Sequence, residues 1–158
     1  MYEPTKSQLL RSFPWRCATK TATLAQLADP PINSYWHYAF AWPDDAIRIT
    51  RVYNLNYPYN AQNMTEPWES SERTILTLKD NVAADYVFDV PEPQMDAHVE
   101  MVLVAQLAMD MAYAITGNNS RESQLVSLYD RKLQEARTTD RQEASHKTFR
   151  IDTLSIGR

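Results

Sequence analysis

The chain has 158 residues, 44% hydrophobic and 23% charged, with a formal net charge of −4 and a pI near 5.3. This is the composition of a globular domain with a sizeable core, not of a disordered or fibrous chain, and the acidic balance disfavours general nucleic-acid binding. Gly117 and Gly157 are its two glycines and Cys17 its one cysteine, which excludes a glycine-rich phosphate cradle and an internal disulfide.

Leu9, Leu10 and Phe13 fall at helical spacing. Ser7–Phe13 therefore reads as the end of a helix, stopped by Pro14, which cannot donate a backbone hydrogen bond. Arg16–Leu27 is ambiguous: its Thr-rich half favours a strand, its Ala/Leu half tolerates a helical turn, and Pro30-Pro31 ends it. Tyr35–Trp42 alternates, and as a strand it puts Trp36, Tyr38, Phe40 and Trp42 on one face. Pro43-Asp44-Asp45 is a turn, and its acids are explained by turn chemistry. Ala46–Tyr53 is a second strand, with Ile47 and Ile49 facing one way and Arg48 the other. Asn54–Glu72, rich in Asn, Pro, Tyr and Ser, reads as a long loop or irregular hairpin. Thr74–Lys79 and Ala84–Val90 read as strands joined at Asp80-Asn81, with Tyr86, Phe88 and Val90 toward the core.

Pro91-Glu92-Pro93 then changes the pattern. Gln94–Thr116 contains no proline or glycine and predicts a helix of roughly 35 Å, capped by Gly117. Asn119 and Glu122 fit a capping pair for the next helix. That helix carries Leu125, Leu128, Tyr129, Leu133 and Ala136 on one stripe and frays near Asp140. His146–Arg158 has little hydrophobic content and reads as an extended tail. The expected architecture is α+β, a helical hairpin or bundle combined with a small antiparallel sheet or sandwich. One domain is expected, with a helical part at 1–14 and 91–142, a mainly β part at 15–90 and a tail at 143–158.

The search for chemistry returns little. No basic segment followed by an apolar one marks a signal peptide, and the best apolar run, Met101–Ile115, is interrupted by Gln106 and Asp110. The sequons Asn63-Met64-Thr65 and Asn118-Asn119-Ser120 are read as chance. His37, His98 and His146 are far apart, and the acids beside His98, Asp96 and Glu100, alternate along a helix without sharing a face. Cys17 reads as a small half-buried residue. No catalytic residue, metal or cofactor is expected.

The aromatic residues say more. Nine of the seventeen lie in 35–68. The face Trp36, Tyr38, Phe40 and Trp42 is read as core, whereas Tyr57, Tyr59 and Trp68 sit in polar loop sequence, where exposed aromatics commonly anchor protein contacts. A nucleic-acid stacking platform would interleave Lys and Arg with its aromatics, and residues 54–68 contain neither. The helix Gln94–Thr116 is apolar nearly all round. Either neighbouring subunits cover it, at Met101, Val104 and Met111, or it packs between its own sheet and the following helix. Charge is uneven too. Residues 1–120 carry eight basic and fourteen acidic side chains, and 121–158 carry eight and six. The C-terminal segment is the better place to meet an acidic partner, or else it is a solvated helix and tail.

Leu9-Leu10-Arg11 with Phe13-Pro14-Trp15-Arg16-Cys17-Ala18 resembles a segment of the podovirus tail tubular protein A family, the head-to-tail adaptor of short-tailed phages. Tyr38-Ala39-Phe40-Ala41-Trp42-Pro43-Asp44-Asp45-Ala46-Ile47-Arg48-Ile49 resembles a second motif of that family, and Ala84-Asp85-Tyr86-Val87 with the Ala-rich helix and Thr116-Gly117 a third. The resemblance runs in order over nearly the whole chain. Ala46 stands where the family has a cysteine, so no thiol chemistry is expected there. Family members begin with a further helical stretch, so either the helical part is smaller here or the start lies upstream.

The resemblance implies a non-enzymatic virion protein of the tail and neck, made in the host cytoplasm. It implies a ring of twelve copies joining the portal protein to the tail nozzle protein, near the tail fibres, with genomic DNA passing through the lumen and no membrane involved. By position, portal contact falls to the tail (Lys147, Phe149, Arg150, Ile151 and Arg158) and nozzle contact to Tyr57, Tyr59 and Trp68. Two other readings stand beside it: a tail-associated glycan hydrolase, motivated by the many carboxylates, and a head-completion or stopper protein that gates DNA.

Overall fold

The computed structural model describes residues 1–29, 31–32, 35–56, 65–116 and 119–143, and their side chains apart from those of 113–122. Among these residues, three α-helices and two three-stranded antiparallel sheets form an α+β arrangement around a hydrophobic core.

Helix α1 (Tyr2–Ser12) has the segment from Ser7 as its end, as expected, and buries Leu9 and Leu10. It ends where Phe13 is forced into extended backbone, φ −149° and ψ 144°, by the proline that follows. The Leu9 carbonyl, left without a helical partner, accepts from Ser12 Oγ at 2.8 Å and from the buried Trp15 indole at 3.1 Å. Lys6 is buried with its ammonium 2.7 Å from Asp89.

The first sheet is β1 (Thr19–Thr23), β6 (Val82–Phe88) and β3 (Ala46–Asn54), with β6 in the middle. A central strand covered on both faces is apolar on both, and Val82, Ala83, Ala84, Tyr86, Val87 and Phe88 are all buried. Tyr86, Phe88 and Val90 do face the core. In β3 simple alternation fails. Register shifts at Ala46/Arg48 and Ile49/Arg51 each insert a residue, so burial falls on Ala46, Ile49 and Val52, three apart. Ile49 is core, while Ile47 is half-buried.

The second sheet is β2 (Tyr38–Ala41), β5 (Thr74–Thr77) and β4 (Trp68–Ser71), with β5 in the middle. The strand expected over Tyr35–Trp42 is thus shorter, although Trp36 and Phe40 are buried as its alternation implied. The hairpin here is β4–β5, closed by Glu72 and Arg73 at φ 47° and 60°. Both residues occupy left-handed backbone, normally given to Asn or Gly. The expected loop Asn54–Glu72 therefore ends in a strand, and the turn expected at Asp80-Asn81 is no hairpin. It carries the chain from the second sheet to the first, because β5 and β6 do not pair.

The ambiguous segment Arg16–Leu27 resolves into a 3₁₀ turn (Arg16–Ala18), β1 and an extended run serving both sheets. Leu24 N donates to Val82 O in the first sheet. Leu27 N donates to Ala39 O and Ala41 N to Ala25 O in the second.

After a 3₁₀ turn (Glu92–Gln94), α2 spans Ala97–Thr116 and packs along α3 (Asn119–Glu143) and against α1. The helix expected from Gln94 starts three residues later, since Met95 is extended and the Asp96 carbonyl accepts the first helical bonds, from Val99 and Glu100. The second helix does not fray at Asp140. It runs to Glu143, and Asp140 is buried. Tyr129 and Leu133 pack on the core and Ala136 lies within it. The Asn119/Glu122 capping pair and the tail lie outside the described side chains and residues.

Candidate subunit interface

One side of α2 is covered and the other is not. Val99, Val102, Leu103, Ala105, Gln106 and Ala112 are buried against the fold. Ala97, Met101, Val104, Ala108 and Met111 are exposed, with Met101 at 53%, Val104 at 60% and Met111 at 44%. Their spacing alternates four and three, the repeat of a seam that a helix presents to another helix. The stripe borders a groove of about 450 Å³ between α2 and α3, lined also by Ala105, Leu128, Glu100 and Lys132. Met101, Val104 and Met111, named from the sequence as candidates for subunit contact, thus share one open stripe.

The other candidates fare differently. Trp68 is not in a loop: it opens β4 opposite Thr77 and packs half-buried on the core. Tyr57 and Tyr59 lie outside the described residues, as do Lys147, Phe149, Arg150, Ile151 and Arg158. Ile32 and Tyr35, which precede the aromatic strand in sequence, are exposed, the latter edge-on to Trp36 at 4.9 Å. Trp36 is buried, its indole donating to Glu69 at 2.8 Å. Ile32 could not be singled out from sequence, because a lone apolar residue after Pro30-Pro31 carries no periodic signal.

Asp45 acts structurally. It accepts from Lys20 Nζ at 2.6 Å and from the Tyr86 hydroxyl at 3.1 Å. The Lys20 bond holds the Asp45 carboxyl below its usual range and in turn raises Lys20. Tyr2 is pushed up to about 12, first by its hydrogen bond to Glu92.

A polar cluster lies where α2 begins. Asp96 precedes the helix, His98 sits in its first turn, and Asp140 comes from the end of α3; one ligand-type atom of each lies within 4.8 Å of the others. Because Asp96 is outside the helix, the alternation argument that separated it from His98 does not hold. Asp140 comes from 42 positions further along, beyond the reach of any local motif. Asp140 Oδ1 accepts from the Arg16 backbone N–H at 3.0 Å. His98 Nε2 stands 3.8 Å from the same oxygen, too far for a hydrogen bond, and among the described residues this buried nitrogen has no partner. A buried polar atom left so costs about 1–3 kcal/mol. Trp15 walls the site, 6.3 Å from the His98 ring. Burial, chiefly, raises the half-buried Cys17 thiol beside Asp96.

No helix among the described residues is long and apolar enough to cross a membrane. No protein-family model matches the chain, and no curated protein sequence matches it.

Proposed function

We propose that the chain is a structural virion protein, one subunit of a head-to-tail adaptor ring between the portal and the tail nozzle of a short-tailed phage. The exposed stripe on α2 carries this reading. Apolar side chains at a 3.5-residue repeat are retained in water where an assembly buries them. A ring uses a heterologous contact, in which this stripe meets a different surface of the next subunit, and such a contact closes when the rotation between neighbours divides a full turn. The ordered motifs around Trp15, Tyr38–Ile49 and Ala84–Val87 supply the phage setting. The acid excess of residues 1–120 suits a channel that DNA passes through, since like charge does not grip the phosphate backbone. The more basic segment 121–158 includes the tail Lys147–Arg158 that is assigned to the portal.

Cryo-electron microscopy of intact particles tests the proposal. Density for α2 and both sheets should repeat around the neck, with Met101, Val104 and Met111 against the adjacent copy. Density elsewhere in the particle, or α2 stripes facing solvent in the ring, would reject it.

A further inference from the structure

We propose that Asp96, His98 and Asp140 form a binding site for one divalent transition-metal ion of the zinc class, which ties the start of α2 to the end of α3. The inference is independent of the ring reading. The residue before α2, the first turn of α2 and the end of α3 converge on one point. The donors are one imidazole nitrogen and two carboxylates. That set suits Zn²⁺ and its neighbours and is foreign to Ca²⁺ and Mg²⁺, which take oxygen ligands. The two carboxylates also balance a 2+ charge.

The geometry is close to what coordination requires. Two ligands of a tetrahedral zinc ion, each bonded at ~2.0–2.1 Å, stand about 3.3 Å apart. His98 Nε2 and Asp140 Oδ1 are 3.8 Å apart, so small side-chain rotations bring them to bonding distance. The second observation is the state of His98. Its Nε2 is buried and without a hydrogen-bond partner among the described residues, and it points at an oxygen too distant to bond. A cation between the two satisfies both.

The support for the ligands is also in place. The Arg16 N–H orients Asp140, leaving that oxygen a second lone-pair direction, and such outer hydrogen bonds fix ligating carboxylates. Asp140 is 4% exposed, so an ion there is screened little by solvent. Cys17 lies beside Asp96 but outside the group of three, and the site is assigned without it.

The test uses the full chain, stripped with a chelator and titrated with Zn²⁺ by calorimetry. One equivalent should bind with a Kd in the micromolar range or tighter, and Zn²⁺ should raise the melting temperature. His98→Gln and Asp96→Asn, shown folded by circular dichroism, should each weaken binding at least tenfold and abolish the thermal shift. Absence of binding to the unaltered chain overturns the proposal. So does undiminished binding by His98→Gln, which would place the ion elsewhere, for instance at His37. Should the variants not fold, nuclear magnetic resonance of the unaltered chain decides: Zn²⁺ should shift the His98 ring resonances and leave those of His37 in place, and unmoved His98 resonances remove the site.

Discussion

Along α2, Met101, Val104 and Met111 lie in water, whereas at its start the His98 nitrogen and the Asp140 carboxylate lie out of it. Both arrangements invert the usual partition, and each inversion has its own chemistry. An apolar stripe in solvent is relieved by a large partner that excludes water, and its energy scales with area. A buried carboxylate facing an unbonded imidazole is relieved by a small positive charge, and its energy depends on distance and geometry. One helix thus presents two unmet demands, and perturbations that affect one should leave the other intact.

The largest expected difference is between the two faces of one turn of α2. Val102→Asp puts a charge into a fully buried position and should cost about 4 kcal/mol or more, enough to unfold a domain of ordinary stability in urea titrations. Val104→Asp, two residues on and 60% exposed, should change stability by less than about 0.5 kcal/mol. The same variant should nevertheless fail to enter rings when mixed with its portal, as read by sedimentation. Normal assembly by Val104→Asp would break the contrast between the two faces.

A smaller effect compares two carboxylates. Asp140→Ala strands the Arg16 N–H and should cost about 1–3 kcal/mol, with little dependence on salt. Asp45→Asn removes an exposed pair and should cost less than Asp140→Ala, and less still at high salt. The pH profile separates them further. Asp45 has a lowered folded pKa, so its contribution is present above the unfolded value of about 3.9 and is lost as pH falls through the folded one. Lys20 is raised, so its contribution is present below about 10.4 and is lost as pH rises through its folded value. In Asp45→Asn, denaturation midpoints should be flatter at both extremes; an unchanged profile would remove the pair from the account.

The smallest effect has the opposite sign. Replacing Glu72-Arg73 with Asn-Gly relieves two left-handed residues and should stabilise by about 1 kcal/mol, readable as a higher urea midpoint. That background would allow the costlier variants to be measured while still folded.

What was legible in the sequence follows the range over which each signal acts. The stop at Pro14 and the core side of Tyr86–Val90 are local, set by one residue or by a period, and they hold. The turn expected at Asp80-Asn81 and the loop expected around Trp68 failed for a related reason. The true hairpin turn is built from Glu72 and Arg73, which carry no turn signature, so the strand before it was hidden. In β3 two inserted residues convert a period of two into three, and alternation cannot register an insertion. At the candidate interface, the apolar character of α2 was plain, but which side its neighbours leave open is a tertiary fact. The Asp96–His98–Asp140 cluster needed both a corrected helix start and a contact across 42 residues.

The run from Thr19 to Leu27 hydrogen-bonds to β6 in one sheet and then to β2 in the other. A segment shared in this way cannot be peeled from one layer while the other stays closed. Amides on both sheets should therefore exchange with deuterium at one common, slow opening, and the two layers should behave mechanically as a single body under axial load.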